Sequence, residues 1–303
     1  MDLQQIRYFV AVAKYESFSQ AAQKLFVTQP ILTRCVKNLE QELGLPLIVR
    51  TTRSFALTDA GKVLLEHGSR LLQQQEDLCR RMADLKQVRS GELRLSSPGP
   101  LLDLYFPKLV TGYHALHPGI RIHIRESGSR PVAQDVLDGS ADMGVVMLPL
   151  ENTDGLHVFP VIRDAVHAVV PKNHPFADEP ELKIERLRDV DLITYDKSNT
   201  LHHILLQRCR QQGFLPSIAY QSMMPNFILD TIALGTCVGI LPRPMVGLGN
   251  DRGLVSIPLA PHFPWELALI ISKERYLSCA AADFLAFARD FLSGEALVTD
   301  KET

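Results

Sequence analysis

The sequence predicts an α/β protein built in three successive parts: a short helical module closed by a two-stranded ribbon, one long helix, and a larger region of alternating strands and helices. Three observations carry this. Apolar residues recur at helical spacing through the first 45 residues, leucines then recur every seven residues from 64 to 85, and short β-rich runs alternate with helical patterns from Leu93 onward.

In the first part, Ile6, Phe9, Val10 and Ala13 give a helix over about Leu3 to Lys14. A second helix is expected from an N-cap at Ser19 through Leu25. A third begins at Thr28, a candidate cap, with Pro30 in its first turn, where a missing N–H is harmless. Ile31, Val36, Leu39 and Leu43 are its expected inward face, and Gly44 ends it. Two short helices joined by a tight turn make a helix-turn-helix. The outward face of the second, Gln29, Thr33, Arg34 and Lys37, consists of donors and cations, which suits either DNA or plain solvent. Residues 45–50 and 54–57 then read as short strands, with Arg53 at the tip that joins them, placed to enter a minor groove as a wing does.

From Thr58 to about Val88 no proline interrupts the pattern, and Leu64, Leu71, Leu78 and Leu85 form a stripe. About 31 residues give a rod of roughly 45 Å. A second copy of the same helix is the expected cover for the stripe; the chain's own N-terminal module is the other.

Strands are expected at 93–95, 120–124, 143–147, 166–170, 192–195, 238–241 and 267–271. Helices are expected at 101–117, 132–137, 201–212, 227–234 and 280–292. These some 200 residues suffice for two small lobes. Net charge is −2 overall, yet 13 Lys and Arg against 9 Asp and Glu make residues 1–90 basic, and the rest carries −6. Five scattered cysteines without metal spacing and the lack of an apolar run near 18 residues predict an intracellular, cytoplasmic protein with no membrane partner.

The segment Ser17 to Gly61 resembles the N-terminal signature of LysR-type transcriptional regulators, departing only at Thr33, where the family often has Ser, and at Ile48, where it often has Phe. HPGI at 117–120, DGSADMGVV at 138–146, KNHPFA at 172–177 and GTCVGILPR at 235–243 extend the likeness along the chain. The resemblance implies a winged helix-turn-helix at 1–57, a dimerising linker helix at 58–90, and a two-lobed, periplasmic-binding-protein-like effector domain at 91–303. Lobe I would hold 91–163 and 267–295, and lobe II 164–266. It further implies double-stranded operator DNA as partner, a homodimer or homotetramer, and RNA polymerase as a further contact. Carried over residue by residue, the DNA contacts are Thr28, Gln29, Pro30, Thr33, Arg34, Lys37, Arg50 and Arg53. Arg pairs well with guanine, Gln with adenine, and Lys with phosphate.

A sensor site is expected where strands meet helix N-termini: Ser96, Ser97, Pro98 and Gly99 in one lobe, Asn199, Thr200 and His202 in the other, with Ser129 beside them. Two helix N-termini facing one cleft favour a small carboxylate, although Ser97 and Thr200 also suit ordinary capping. PWELALI at 264–270 and ERYLSCAA at 274–281 are similar to acetate-responsive regulators of holin-like operons, which points to the same ligand class. No nucleophile elbow, phosphate loop or dinucleotide fingerprint occurs, and the ten histidines lack matching ligands. No catalytic residue, metal or cofactor is therefore expected. An enzyme or a solute-binding protein on the same two-lobed fold is the alternative.

Overall fold

The computed structural model describes residues 1–50, 55–84, 91–127, 129–248 and 252–299. The chain divides into two compact units, Met1–Gln87 and Val88–Thr303.

In the first unit, α1 (Leu3–Tyr15) opens with a capping box. Asp2 accepts from the Gln5 amide at 2.7 Å, and the Gln5 side chain accepts from the Asp2 amide at 2.8 Å. Helix α2 (Phe18–Lys24) is capped by Ser17, two residues before the expected Ser19, because Ser17 Oγ accepts from the Gln20 amide. Helix α3 (Gln29–Leu43) has Thr28 at its N-cap position, but the Thr28 side chain makes no cap bond. Its inward face is Leu32, Val36 and Leu39, all fully buried. The expected Ile31 is 52% exposed: one residue turns a helix by about 100°, and Leu32, at i, i+4, i+7 spacing with Val36 and Leu39, takes the inward place. Leu43 also faces out. Gly44 ends α3 at φ 66°, a left-handed conformation that disfavours a side chain.

Strands β1 (Ile48–Arg50) and β2 (Phe55–Leu57) pair antiparallel as the ribbon. Thr58 fastens the ribbon to the helix after it: its hydroxyl donates to the Pro46 carbonyl at 2.6 Å and accepts from the Gly61 amide at 3.0 Å. A Cβ at Gly61 would overlap the Leu47 carbonyl oxygen, so this close approach requires glycine. The long helix, α4, runs Asp59–Asp84; Leu85 lies outside the described residues. Leu64, Leu65 and Leu72 pack onto the core of α1, so the N-terminal module does cover one side of the stripe. Val63, Leu71, Leu78 and Met82 remain 44–58% exposed along the rest.

The second unit is a mixed sheet in which the order is β4-β3-β5-β12-β6-β10-β8-β9 among the described residues, with β11 (Leu254–Ala260) also on β6 and the two-residue β7 (Leu182–Lys183) on β11. Strands β3 (Gly91–Ser97), β4 (Ile120–Glu126) and β5 (Met143–Leu148) run parallel. Helices α5 (Gly99–Leu104), α6 (Phe106–Leu116), α7 (Ser129–Leu137) and α11 (Cys279–Thr299) accompany them. The helix expected over 101–117 breaks at Tyr105, since Pro107 lacks an N–H for the turn behind it. On the other side, β8 (Asp191–Thr194), β9 (Ser217–Gln221) and β10 (Val238–Pro242) are parallel, with α8 (Thr200–Gln211), α9 (Pro225–Ala233) and α10 (Arg243–Gly247).

One strand joins the two sides. β6 runs Leu156–Pro171, far longer than the expected 166–170. Its residues 156–165 pair with β12 (Pro264–Ser272), and residues 166–170 pair with β10, β11 (Leu254–Ala260) or both. Asp164 sits at the change of partner and receives Arg243 through two bonds, Nε to Oδ1 at 2.9 Å and Nη2 to Oδ2 at 3.0 Å. Elsewhere Arg94 and Asp142 join β3 to the DGSADMG turn in the same two-pronged way, Nε to Oδ2 and Nη2 to Oδ1, with the Arg94 amide donating to Oδ2 as well, which gives that motif a structural role.

His167, just beyond the crossing on β6, contacts Ser256 Oγ through Nδ1 at 2.7 Å. Burial pushes its pKa down to about 4, with nearby Arg243 and His262 adding to the shift and Asp164 opposing it. The unfolded chain binds this proton near pH 6.5 and the folded one only near 4. The stability is therefore fully present above about pH 6.5 and falls as pH drops towards 4, with about 1–2 kcal/mol lost by pH 5. Urea unfolding at pH 7.5 and pH 5 should show that loss, and His167→Asn, which retains a group able to reach Ser256, should flatten it.

Candidate functional site

The outer face of α3 lies over its buried face. Thr28, Gln29, Pro30, Arg34 and Lys37 are exposed and Thr33 is half-buried, above Leu32, Val36 and Leu39. The helix can thus present these polar groups without disturbing its packing. Ser19 on α2 donates to Gln29 Oε1 at 3.0 Å, which fixes the Gln29 side chain at the start of α3. Because Thr28 makes no cap bond, the first-turn amides of α3 keep their capacity for an anion such as a phosphate. Arg50 is the last residue of β1, and its side chain lies outside the described residues, as does Arg53 altogether. Sequence reasoning took Ser19 for a cap and so missed its bond to Gln29, and it missed Glu40 altogether. Glu40 Oε1 accepts the amides of Leu47 and Ile48 at 2.9 and 3.3 Å and so ties the ribbon to α3. An acid one turn before the helix-ending Gly44 was its only sequence signal.

In the second unit a small cavity, open to solvent, lies where the two sides of the sheet face each other. Pro98, Pro100, Leu101, Met147 and Trp265 line it from one side, and Tyr195, Asn199, Pro242 and Met245 from the other. Pro98 follows β3, Met147 is next to last in β5, Tyr195 follows β8 and Pro242 ends β10. The cavity therefore sits at the carboxyl ends of parallel strands, the place where open α/β sheets hold ligands. Trp265, paired in register with Asp164, forms its wall at the crossing.

Of the effector residues expected from sequence, Pro98 and Asn199 line this cavity. Ser96 and Ser97 are fully buried and turned to the protein: Ser96 Oγ donates to Asp135 Oδ2 at 2.7 Å and Ser97 Oγ to the Pro98 carbonyl at 3.2 Å. Gly99 opens α5 with the Glu126 carboxylate against it. Asn199 caps α8 by accepting from the Leu201 amide at 2.9 Å. Thr200 is the first residue of α8, half-buried and off the cavity wall. His202 is buried with Nδ1 3.1 Å from the Tyr195 carbonyl oxygen, and burial pushes its pKa down. Ser129 begins α7, and its side chain lies outside the described residues. The apolar wall went unseen in the sequence because its members come from five separate stretches of chain.

Among the described residues no three His, Cys, Asp or Glu side chains converge as metal ligands would. The five cysteines are unbridged, and burial pushes the Cys209 thiol up to about 11, which makes it unreactive.

Residues 3–62 match the family described as bacterial regulatory helix-turn-helix protein, lysR family, and residues 86–293 match the LysR substrate binding domain. The uncharacterized HTH-type transcriptional regulator YwbI of Bacillus subtilis is 34% identical over 294 residues, covering 96% of this chain and 97% of its own. The HTH-type transcriptional regulator AlsR of the same organism is 32% identical over 255 residues, covering 82% and 83%. Among solved structures, full-length OxyR from Pseudomonas aeruginosa aligns with a TM-score of 0.68 at 22% identity, over 96% of this chain and 94% of its own. Full-length CbnR in complex with its target DNA aligns with a TM-score of 0.64 at 21% identity, over 96% and 100%.

Arg34→Ala removes one exposed guanidinium and leaves the buried face of α3 whole. It should lower affinity for specific duplex DNA by about 1–3 kcal/mol per half-site, roughly 5- to 150-fold, with an unchanged unfolding temperature. Gel-shift titration beside thermal unfolding checks this; wild-type affinity in the variant would place the reading face elsewhere.

Proposed function

Because this chain belongs to the LysR family of bacterial regulatory helix-turn-helix proteins, we propose that it holds operator DNA with the outer face of α3 while a small molecule in the cleft of the second unit sets its regulatory output. The chain is a ligand-responsive DNA-binding transcriptional regulator, not an enzyme. The observation that carries the DNA assignment is the exposed row Gln29, Arg34 and Lys37 over the fully buried Leu32, Val36 and Leu39. Thr28, Pro30 and Thr33 complete that face, and Arg50 and Arg53 act from the ribbon.

The division into 1–57, 58–90 and 91–303 belongs to this proposal, as do lobe I at 91–163 with 267–295 and lobe II at 164–266. The change of partner along β6 between Ala165 and Val166 supports the lobe boundary. A homodimer or homotetramer built on α4 is supported by the exposed Leu71 and Leu78, since apolar rows of this kind mark interfaces. Cytoplasmic location and contact with RNA polymerase follow from the regulatory role; no helix among the described residues is long and apolar enough to cross a membrane.

A small carboxylate is the effector class that the sequence favours, through the likeness to acetate-responsive regulators. In the cleft it would find the Asn199 amide and the first-turn amides of α8, but no cation among the lining residues. Ligand held between the lobes acts by differential contact with open and closed forms.

Two outcomes test this reading. Leu71→Asp with Leu78→Asp should split the oligomer without unfolding the protomer, because both positions are exposed in it and two unpaired acids in a helix seam cost several kcal/mol; sedimentation of an unchanged assembly would move the interface off α4. Asn199→Asp keeps the acceptor that caps α8 and exchanges the amide donor for a carboxylate. It should leave ligand-free footprints on the chain's own upstream DNA unchanged and abolish the change in footprint produced by effector. A variant with the full wild-type response would exclude Asn199 from the site.

A further inference from the structure

Tyr195 is 2% exposed, and its hydroxyl has no hydrogen-bond partner among the described residues. It lines the cleft cavity, directly after β8. A buried hydroxyl without a partner is rare in a folded protein and calls for an explanation. Burial, with the negative charge of Asp103 nearby, pushes its ionisation well above the usual phenol range, so the group remains a neutral O–H donor.

The remaining wall defines what that donor can meet. Its members are three prolines, a leucine, two methionines, Trp265 and Asn199, with neither lysine nor arginine. Asn199 Oδ1 is engaged by the Leu201 amide, which leaves its NH₂ as a second uncharged donor. The negative charge of Asp103 acts on Tyr195, and the Glu126 carboxylate lies against Gly99, between the lining Pro98 and Pro100. An anion entering an apolar cavity needs a paired charge or several aligned donors to offset its lost hydration. The wall supplies no cation, and only the Tyr195 hydroxyl and the Asn199 amide as donors. A neutral carbonyl oxygen needs only a donor, and its two lone pairs can accept from one or both of those present.

Resting on the ligand-responsive reading above, we infer that the cleft takes its effector as an uncharged, mainly apolar small molecule whose carbonyl-type oxygen accepts a hydrogen bond from Tyr195, in place of the carboxylate ion expected from sequence. Tyr195 is thus a specificity-determining residue: it selects acceptor-bearing neutral molecules over apolar ones, while the lack of a cation in the wall selects against anions.

Isosteric pairs test this in the full-length protein: butanone against propanoate, and acetophenone against benzoate, by thermal shift and calorimetry. At least one ketone should raise the unfolding temperature and bind, with its carboxylate partner at the same concentration doing neither. Tyr195→Phe, which keeps the ring, should weaken ketone binding by about tenfold or more and leave the ligand-free unfolding temperature unchanged or higher. The inference is overturned if the carboxylates bind as well as the ketones, if neither ketone binds, or if Tyr195→Phe binds the ketone like wild type. A lower ligand-free unfolding temperature in Tyr195→Phe overturns it too, since that would mean the hydroxyl already serves a structural bond. Operator retention measured without ligand on the same preparations separates the two levels: its loss removes the regulator reading and leaves the cleft chemistry standing.

Discussion

Strand β6 belongs to both sides of the second unit, and the other features of that unit depend on this sharing. Up to Ala165 it is held by β12, and from Val166 by β10 and then β11 as well. Where the partner changes, the twin bonds from Arg243 to Asp164 clamp the turn into α10 onto the strand, with the Asp164 side chain only 3% exposed. Leaving such a buried carboxylate unpaired costs about 3–5 kcal/mol, so the pair fixes the crossing even though it adds little net stability. Trp265 opposes Asp164 on β12 and also walls the cavity. The crossing thus sets the position from which the ends of β3, β5, β8 and β10 face each other.

A comparable economy operates in the first unit. The residues that bury α3 and those that face outward alternate along one helix, and Glu40 ties the ribbon back to it through two amides. The outer face of α3 and the ribbon are therefore held by one short hydrophobic core, that of Ile6, Phe9, Leu32, Val36 and Leu39. The first half of α4 docks on that core through Leu64, Leu65 and Leu72, whereas Leu71 and Leu78 are left outward.

The helix-turn-helix was legible in the sequence because helical spacing, capping residues and Gly44 are local signals. The errors there were local too: Ser19 for Ser17 as the cap, and Ile31 for Leu32 where two apolar residues stand side by side. The crossing strand was not legible, since Pro160, Arg163 and Asp164 interrupt its apolar pattern. The structure accommodates Pro160 at an irregularity in the β12 register, where the missing N–H is tolerated. Of the candidate effector residues, Ser96 and Ser97 were chosen as hydroxyls before a helix. They lie on a strand flanked by β4 and β5 and buried on both faces, so neighbouring protein groups take both hydroxyls. Tyr195 escaped notice because an unpaired hydroxyl is a property of the packed chain, invisible to spacing.

The two faces of the cleft should respond together while the crossing stays fixed, and hydrogen exchange read segment by segment tracks both at once. On the full chain with and without whichever ketone binds, butanone or acetophenone, exchange should slow at 101–104 and at 199–205 in the same titration, and stay slow throughout at 162–166 and 265–269. Slowing in only one of the two cleft segments, or a crossing that exchanges as fast as the exposed helix ends, would contradict a ligand held between two sides pivoting on β6.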